Sequence, residues 1–174
     1  MIKPMYIYIG LIILALIIYL SRNKIKSLMT RGYINKNPGN LNRQQDVSGN
    51  YLNVGDAGYK PFNGEVKSTD QRFRAFSSMP YGYRAMFVNL SSYINRGINT
   101  VEKIISSWAP QADNNNTKAY IAAVSSAIGK NPTDAISKTD TTTLRKLVAA
   151  ISKQENGIPA NMDDIDAGYK LLQS

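Results

Sequence analysis

The stretch LVAAISKQENG, from Leu147 to Gly157, ends an apolar stripe on an acid. Leu144, Val148, Ile151 and Glu155 are spaced as one face of a helix. Three of these side chains want a core, and the fourth is a carboxylate. Asn156 and a helix-stopping Gly157 follow it. On a helix, Glu155 would be partly desolvated and near the negative end of the helix dipole, and both effects favour its neutral form. A carboxylic acid that keeps its proton is what glycosidic cleavage requires, because the leaving oxygen must be protonated. The plainer reading is a solvated helix end where the stripe runs out. Lys153 lies roughly 200° around the helix from Glu155, at ~100° per residue, so the two need not pair. A second carboxylate is hard to name. Asp46, Asp56, Glu65 and Asp70 all precede the helical region without a distinctive pattern. One acid could serve twice, first protonating the leaving oxygen, then taking a proton from a sugar hydroxyl or from water.

Composition removes most other chemistries. The 174 residues contain no His and no Cys. Thiol nucleophiles, Ser-His and Cys-His pairs, disulfide frameworks and the usual zinc sites are therefore absent. No metal or cofactor is expected, and any enzyme here must use carboxylates, Lys, Tyr or hydroxyls. The net charge of +9 is uneven. Seven of the 21 basic residues and none of the 12 acids precede Asp46, so the remainder is only mildly basic. Such a basic leading segment suits anionic lipid or an anionic polymer. No basic helix or Arg-aromatic patch argues for nucleic acid, and none is expected as a partner.

The elements that must position Glu155 follow from the pattern. Met5–Leu20 carries no charge, with Lys3 before it and Arg22, Lys24 and Lys26 after it. Its 16 residues would span roughly 24 Å as a helix, slightly short of a bilayer core of about 30 Å. Snorkelling Lys3 and Arg22, with Tyr6, Tyr8 and Tyr19 near the ends, fit a single-pass anchor in contact with lipid. Residues 1–29 are read as anchor and basic flank, and residues 30–174 as one domain. Within it, residues 30–78 are rich in Gly, Asn and Ser and read as an irregular or short-stranded lobe, with an extended piece over Gln71–Phe76. Residues 79–174 read as a helical bundle. One helix starts near Pro80 and ends at Gly97. A second runs from a Thr100 cap to Pro110, and a third from Asn116 or Thr117 to Gly129. Asp140 caps the fourth, which carries Glu155, and a last helix begins after Asn161. The expected class is mainly α (α+β).

Two further stretches carry a resemblance. RGYINKNPGNL (Arg31–Leu41) resembles the RGIRNNNPGNIR opening of a family of phage and prophage virion structural proteins, some from tail-less, membrane-containing phages. The likeness continues in order through FRAFSSMPYGYRAM, GINTVEKIISSWAP, NNTKAYIAAVSSAIG and LVAAISKQENG, where the family often has His-Glu-Asn-Gly. It covers about residues 31–172, and the apolar run lies outside it. Gln154 stands where that His is common. The motifs also resemble lysozyme-like enzymes of the flagellar glucosaminidase group, with the acid-bearing helix at the C-terminal end instead of the start. That order would make the domain a circular permutation.

The resemblance implies a lysozyme-like domain with Glu155 as general acid. Asn37, Gly39 and Asn40 would form a cleft wall facing a sugar N-acetyl group, and Tyr81 and Tyr83 could stack on sugar rings. A tight turn would equally explain Asn37 to Asn40, and Tyr83 sits on a core stripe of its own helix. Arg84 and Trp108 read as structural. The function implied is a peptidoglycan-cleaving muramidase or lytic transglycosylase, held on the virion membrane and acting as the genome enters or leaves the cell. The alternative is a non-catalytic virion membrane protein linking the membrane to capsid or spike proteins.

Overall fold

A computed structural model describes residues 4–113 and 115–173, without the side chains of residues 4–10, 23, 24 and 26–29. The chain is mainly helical, with a small two-stranded sheet. Helix α1 spans Pro4–Met29 and α2 is the single turn Arg31–Ile34. Strands β1 (Glu65–Val66) and β2 (Ala75–Phe76) follow. Then come α3 (Met79–Asn95), α4 (Val101–Trp108), a 3-10 turn at Gln111–Asp113, α5 (Thr117–Ile128), α6 (Thr141–Asn156) and α7 (Met162–Gln173).

Local chemistry accounts for the helix ends. Thr100, Asn116 and Asp140 each accept a hydrogen bond from the backbone N–H three residues on, which satisfies an orphan donor of α4, α5 and α6. Gly157 closes α6 in the left-handed region at φ 69°, where a side chain would be strained. α3 begins one residue before Pro80, and Ser78 makes no side-chain cap bond.

The apolar stripes meet as their spacing requires. Tyr83, Met86, Phe87 and Leu90 of α3, Val101, Ile104 and Ile105 of α4, and Val124 and Ile128 of α5 enter one core. Leu144, Leu147, Val148 and Ile151 of α6 and Ile165 of α7 complete it. A smaller core under the irregular lobe holds Leu41, Phe76 and Ala85, with Phe62, Tyr81 and Trp108 against it.

The lobe is as irregular as its composition implies. The extended piece expected over Gln71–Phe76 narrows to β2, paired antiparallel with β1 in the register Glu65 to Phe76 and Val66 to Ala75. Scattered backbone pairing, as in the isolated bridges Asn42–Phe73 and Gln45–Tyr51, is supplemented by side-chain anchors. Arg74 and Glu65 form a buried ion pair at 2.6 Å, and Tyr59 hydrogen-bonds to Glu65. The Arg74 guanidinium lies over the Tyr59 and Phe62 rings, at 5.0 and 4.7 Å from their centroids. Its charge is thus both paired and packed, as a buried cation requires.

Among the described residues no helix is long and apolar enough to cross a membrane. The span expected over Met5–Leu20 falls partly outside the described side chains. Within it, the side chains of Leu11–Leu14 and Leu16–Leu20 stand exposed.

Candidate active site

Two adjoining depressions form one groove between the lobe and the helices. They share Gly39, Asn40, Asn42 and Trp108. The depression of about 140 Å³ contains Glu155, with Arg72, Phe73, Asp113 and Asn115 around it. The other, of about 240 Å³, continues past Leu41, Phe62, Arg74, Asn89, Tyr93 and Ser107.

Glu155 reaches this groove because α6 ends there. Leu144, Val148 and Ile151 bury the stripe below it, and the chain turns away at Gly157. The carboxylate is held at both oxygens. Asn40 Nδ2 donates to Oε2 at 2.9 Å, and Tyr120 Oη donates to Oε1 at 3.0 Å. Burial pushes the Glu155 carboxyl above the ordinary carboxylate range, while hydrogen bonding from Asn40, Tyr120 and Trp108 partly opposes the shift. Burial and the facing carboxylate raise the Tyr120 hydroxyl, so it stays protonated and remains a donor.

The Asn37–Asn40 turn is brought to α6 by Asn156. Its Nδ2 donates to Pro38 O at 2.8 Å and to Ser152 O at 2.9 Å, fixing the turn to the last turn of the helix. Asn40 itself takes a left-handed conformation at φ 46°, which asparagine tolerates better than most residues. Gly39 has a steric reason. A Cβ there would lie 2.7 Å from Trp108 Cζ2, so only glycine lets the indole lie against the turn.

The expected site residues divide sharply. Glu155, Gly39 and Asn40 line the groove together. Asn37 does not. It is fully buried, and its amide is spent on Leu41 O, Arg74 O and Leu41 N, so it staples the turn and offers nothing to a ligand. Tyr83 is likewise a core residue, with its hydroxyl 3.2 Å from Ser152 Oγ. Tyr81 packs on the smaller core, against Gly64, and does not line the groove. Neither tyrosine therefore offers a ring face to a sugar in the groove, contrary to expectation. Arg84 is structural, donating to Leu171 O at 2.9 Å.

Trp108, which lines the groove, and Tyr120, which holds Glu155 from below it, had no signal of their own in the sequence. Tyr120 looked like an ordinary member of the α5 stripe, and Trp108 like the end of the α4 stripe. Trp108 does pack on both cores, but it also walls both depressions.

Among the other carboxylates described, only Asp113 lines the groove. It is exposed and paired with Arg72 at 2.9 Å. Arg72 Nε also donates to Asn42 Oδ1. Glu65 is committed to Arg74 and is not free to act. The arrangement thus offers one poised acid, fixed donors around it, and no second carboxylate in a comparable setting. Comparison with known proteins finds no matching family model and no matching curated protein.

Proposed function

We propose that the chain is a membrane-anchored, virion-associated glycosidase that cleaves peptidoglycan with Glu155 as general acid. The observation carrying this reading is Glu155 at the end of α6, desolvated, held by Asn40 and Tyr120, and open to a groove. Protonated Glu155 gives its proton to the glycosidic oxygen as the bond to the anomeric carbon breaks. The carboxylate then takes a proton from the sugar's own hydroxyl, closing an intramolecular ring, or from a water that adds to the anomeric carbon. The first outcome is lytic transglycosylation and the second is muramidase action. Among the described residues no second carboxylate in the groove is both desolvated and unpaired, since Glu65 is spent on Arg74 and Asp113 is exposed, so both steps fall to the same group.

The resemblance of these motifs to those of the virion family and of lysozyme-like enzymes supports the substrate class. The Asn-Pro-Gly-Asn turn and the Glu-Asn-Gly end of α6 are the two pieces that build this site. The uncharged run Met5–Leu20, with basic residues after it, supports a single-pass anchor in the virion membrane. Tethering there raises the local concentration at the wall. The test is release of soluble muropeptides from purified cell walls by the full chain in detergent, compared with Glu155→Gln. Loss of release in the variant is expected. Release from neither protein favours the non-catalytic linking role instead.

A further inference from the structure

The groove has an arm that the acid does not use. It runs from Trp108 past Tyr93, Ser107 and Asn89, with Phe62 on the lobe side. Its surfaces are of two kinds. Trp108 and Tyr93 meet edge-to-face, with centroids 6.4 Å apart and planes at 88°, giving a fixed aromatic corner. Beside it the Asn89 amide has no hydrogen-bond partner among the described residues, and neither does Nδ2 of Asn42. Asn89 and Tyr93 are four residues apart on α3, so they fall on one helix face. Apolar rings beside unspent amides match a pyranose ring that presents C–H groups on its face and an acetamido group at its edge. An acetamido group carries one donor, one acceptor and a methyl, which a carboxamide and an aromatic corner can meet together.

We infer that Trp108, Tyr93 and Asn89 form a binding subsite for an N-acetylated sugar, on the side of Glu155 away from the Arg72–Asp113 pair. This rests on the glycosidase reading, and it adds which residues hold the substrate and by which group. Trp108 is shared with the depression that holds Glu155, so a sugar seated on it lies next to the acid. Arg74 also lines this arm, but its charge is neutralised by Glu65, so an anionic substituent is not what the arm selects.

Trp108 is the sole tryptophan, so its emission reports on this arm directly. The experiment titrates the full chain in detergent, carrying Glu155→Gln to prevent turnover, with the N-acetylglucosamine tetramer and with cellotetraose. A saturable change in emission with the first and none with the second is expected. Asn89→Ala, which keeps the fluorophore, should weaken binding about fivefold, the loss of one ordinary hydrogen bond. No response to the N-acetylated tetramer, or an equal response to cellotetraose, overturns the subsite. Binding without wall cleavage by the unmutated chain supports the subsite and ends the catalytic reading. Wall cleavage with a silent Trp108 overturns the subsite alone.

Discussion

At the scale of single residues, Glu155 is stabilised in its neutral form by the same burial that suits it to donate a proton. Its folded value lies above the ordinary 4.5, so the folded protein binds more protons than the unfolded chain between those two values. Stability therefore falls as pH rises from about 4.5 through the raised value. Glu155→Gln removes this loss. Its melting temperature should exceed that of the unmutated chain at pH 7, and the difference should shrink below pH 4.5. Gln can keep both contacts, because the Asn40 amide can turn and its Oδ1 is otherwise unpartnered. Proton donation has the same sign, so cleavage should weaken as pH rises through the folded value. Tyr120→Phe deletes a donor to the carboxylate, which should raise the Glu155 value further and move that alkaline limb upward. NMR titration of the Glu155 carboxyl in the variant reads the shift without any need for activity. None of this could be read from Tyr120 in sequence. A tyrosine on a core stripe gives no sign of where its hydroxyl goes, and the answer depends on how α5 packs on α6.

At the scale of elements, the end of α6 and the Asn37–Asn40 turn act as one unit. Asn156 joins them through Pro38 O, and removal of its amide leaves that buried carbonyl without its donor. Asn156→Ala should cost roughly 1–3 kcal/mol in a denaturant titration and reduce cleavage with it, because Asn40 is no longer held against Glu155. Gly39→Ala drives a methyl toward Trp108 and Met86 and should cost about 1–3 kcal/mol as overpacking. It should also shift the emission of Trp108. The helix ends were legible because caps are local. Thr100, Asn116 and Asp140 cap as their residue types suggest, and Gly129 and Gly157 take the left-handed conformation expected of a stop. The acid's position followed from the same local rules. The cleft wall followed only in part. Gly39 and Asn40 reach the groove, but Asn37 turns inward to staple the turn. Which side of a turn faces a groove is decided by contacts more than a hundred residues away, such as that of Asn156 with Pro38. The same holds for Tyr81 and Tyr83. Their aromatic character was visible, while the partner that covers them was not.

At the scale of the whole molecule, charge and hydropathy are segregated. The uncharged run and the early basic residues lie at one end of the sequence, and the groove that holds Glu155 lies in the domain beyond. The full chain should float with liposomes in a density gradient, and a chain lacking residues 1–29 should stay at the bottom. The exposed Arg72–Asp113 pair joins the lobe to the α4–α5 connection, yet such a pair contributes only about 0–1 kcal/mol and is screened by salt. The pair lines the depression that holds Glu155, and Asp113→Asn should change thermal stability little in a melting experiment. The most direct test of the central claim is muropeptide release from purified cell walls, with Glu155→Gln compared at equal folded protein. Loss of a general acid should lower the rate roughly 100-fold or more in a variant that is at least as stable at pH 7. Release by Glu155→Gln at the rate of the unmutated chain would contradict it.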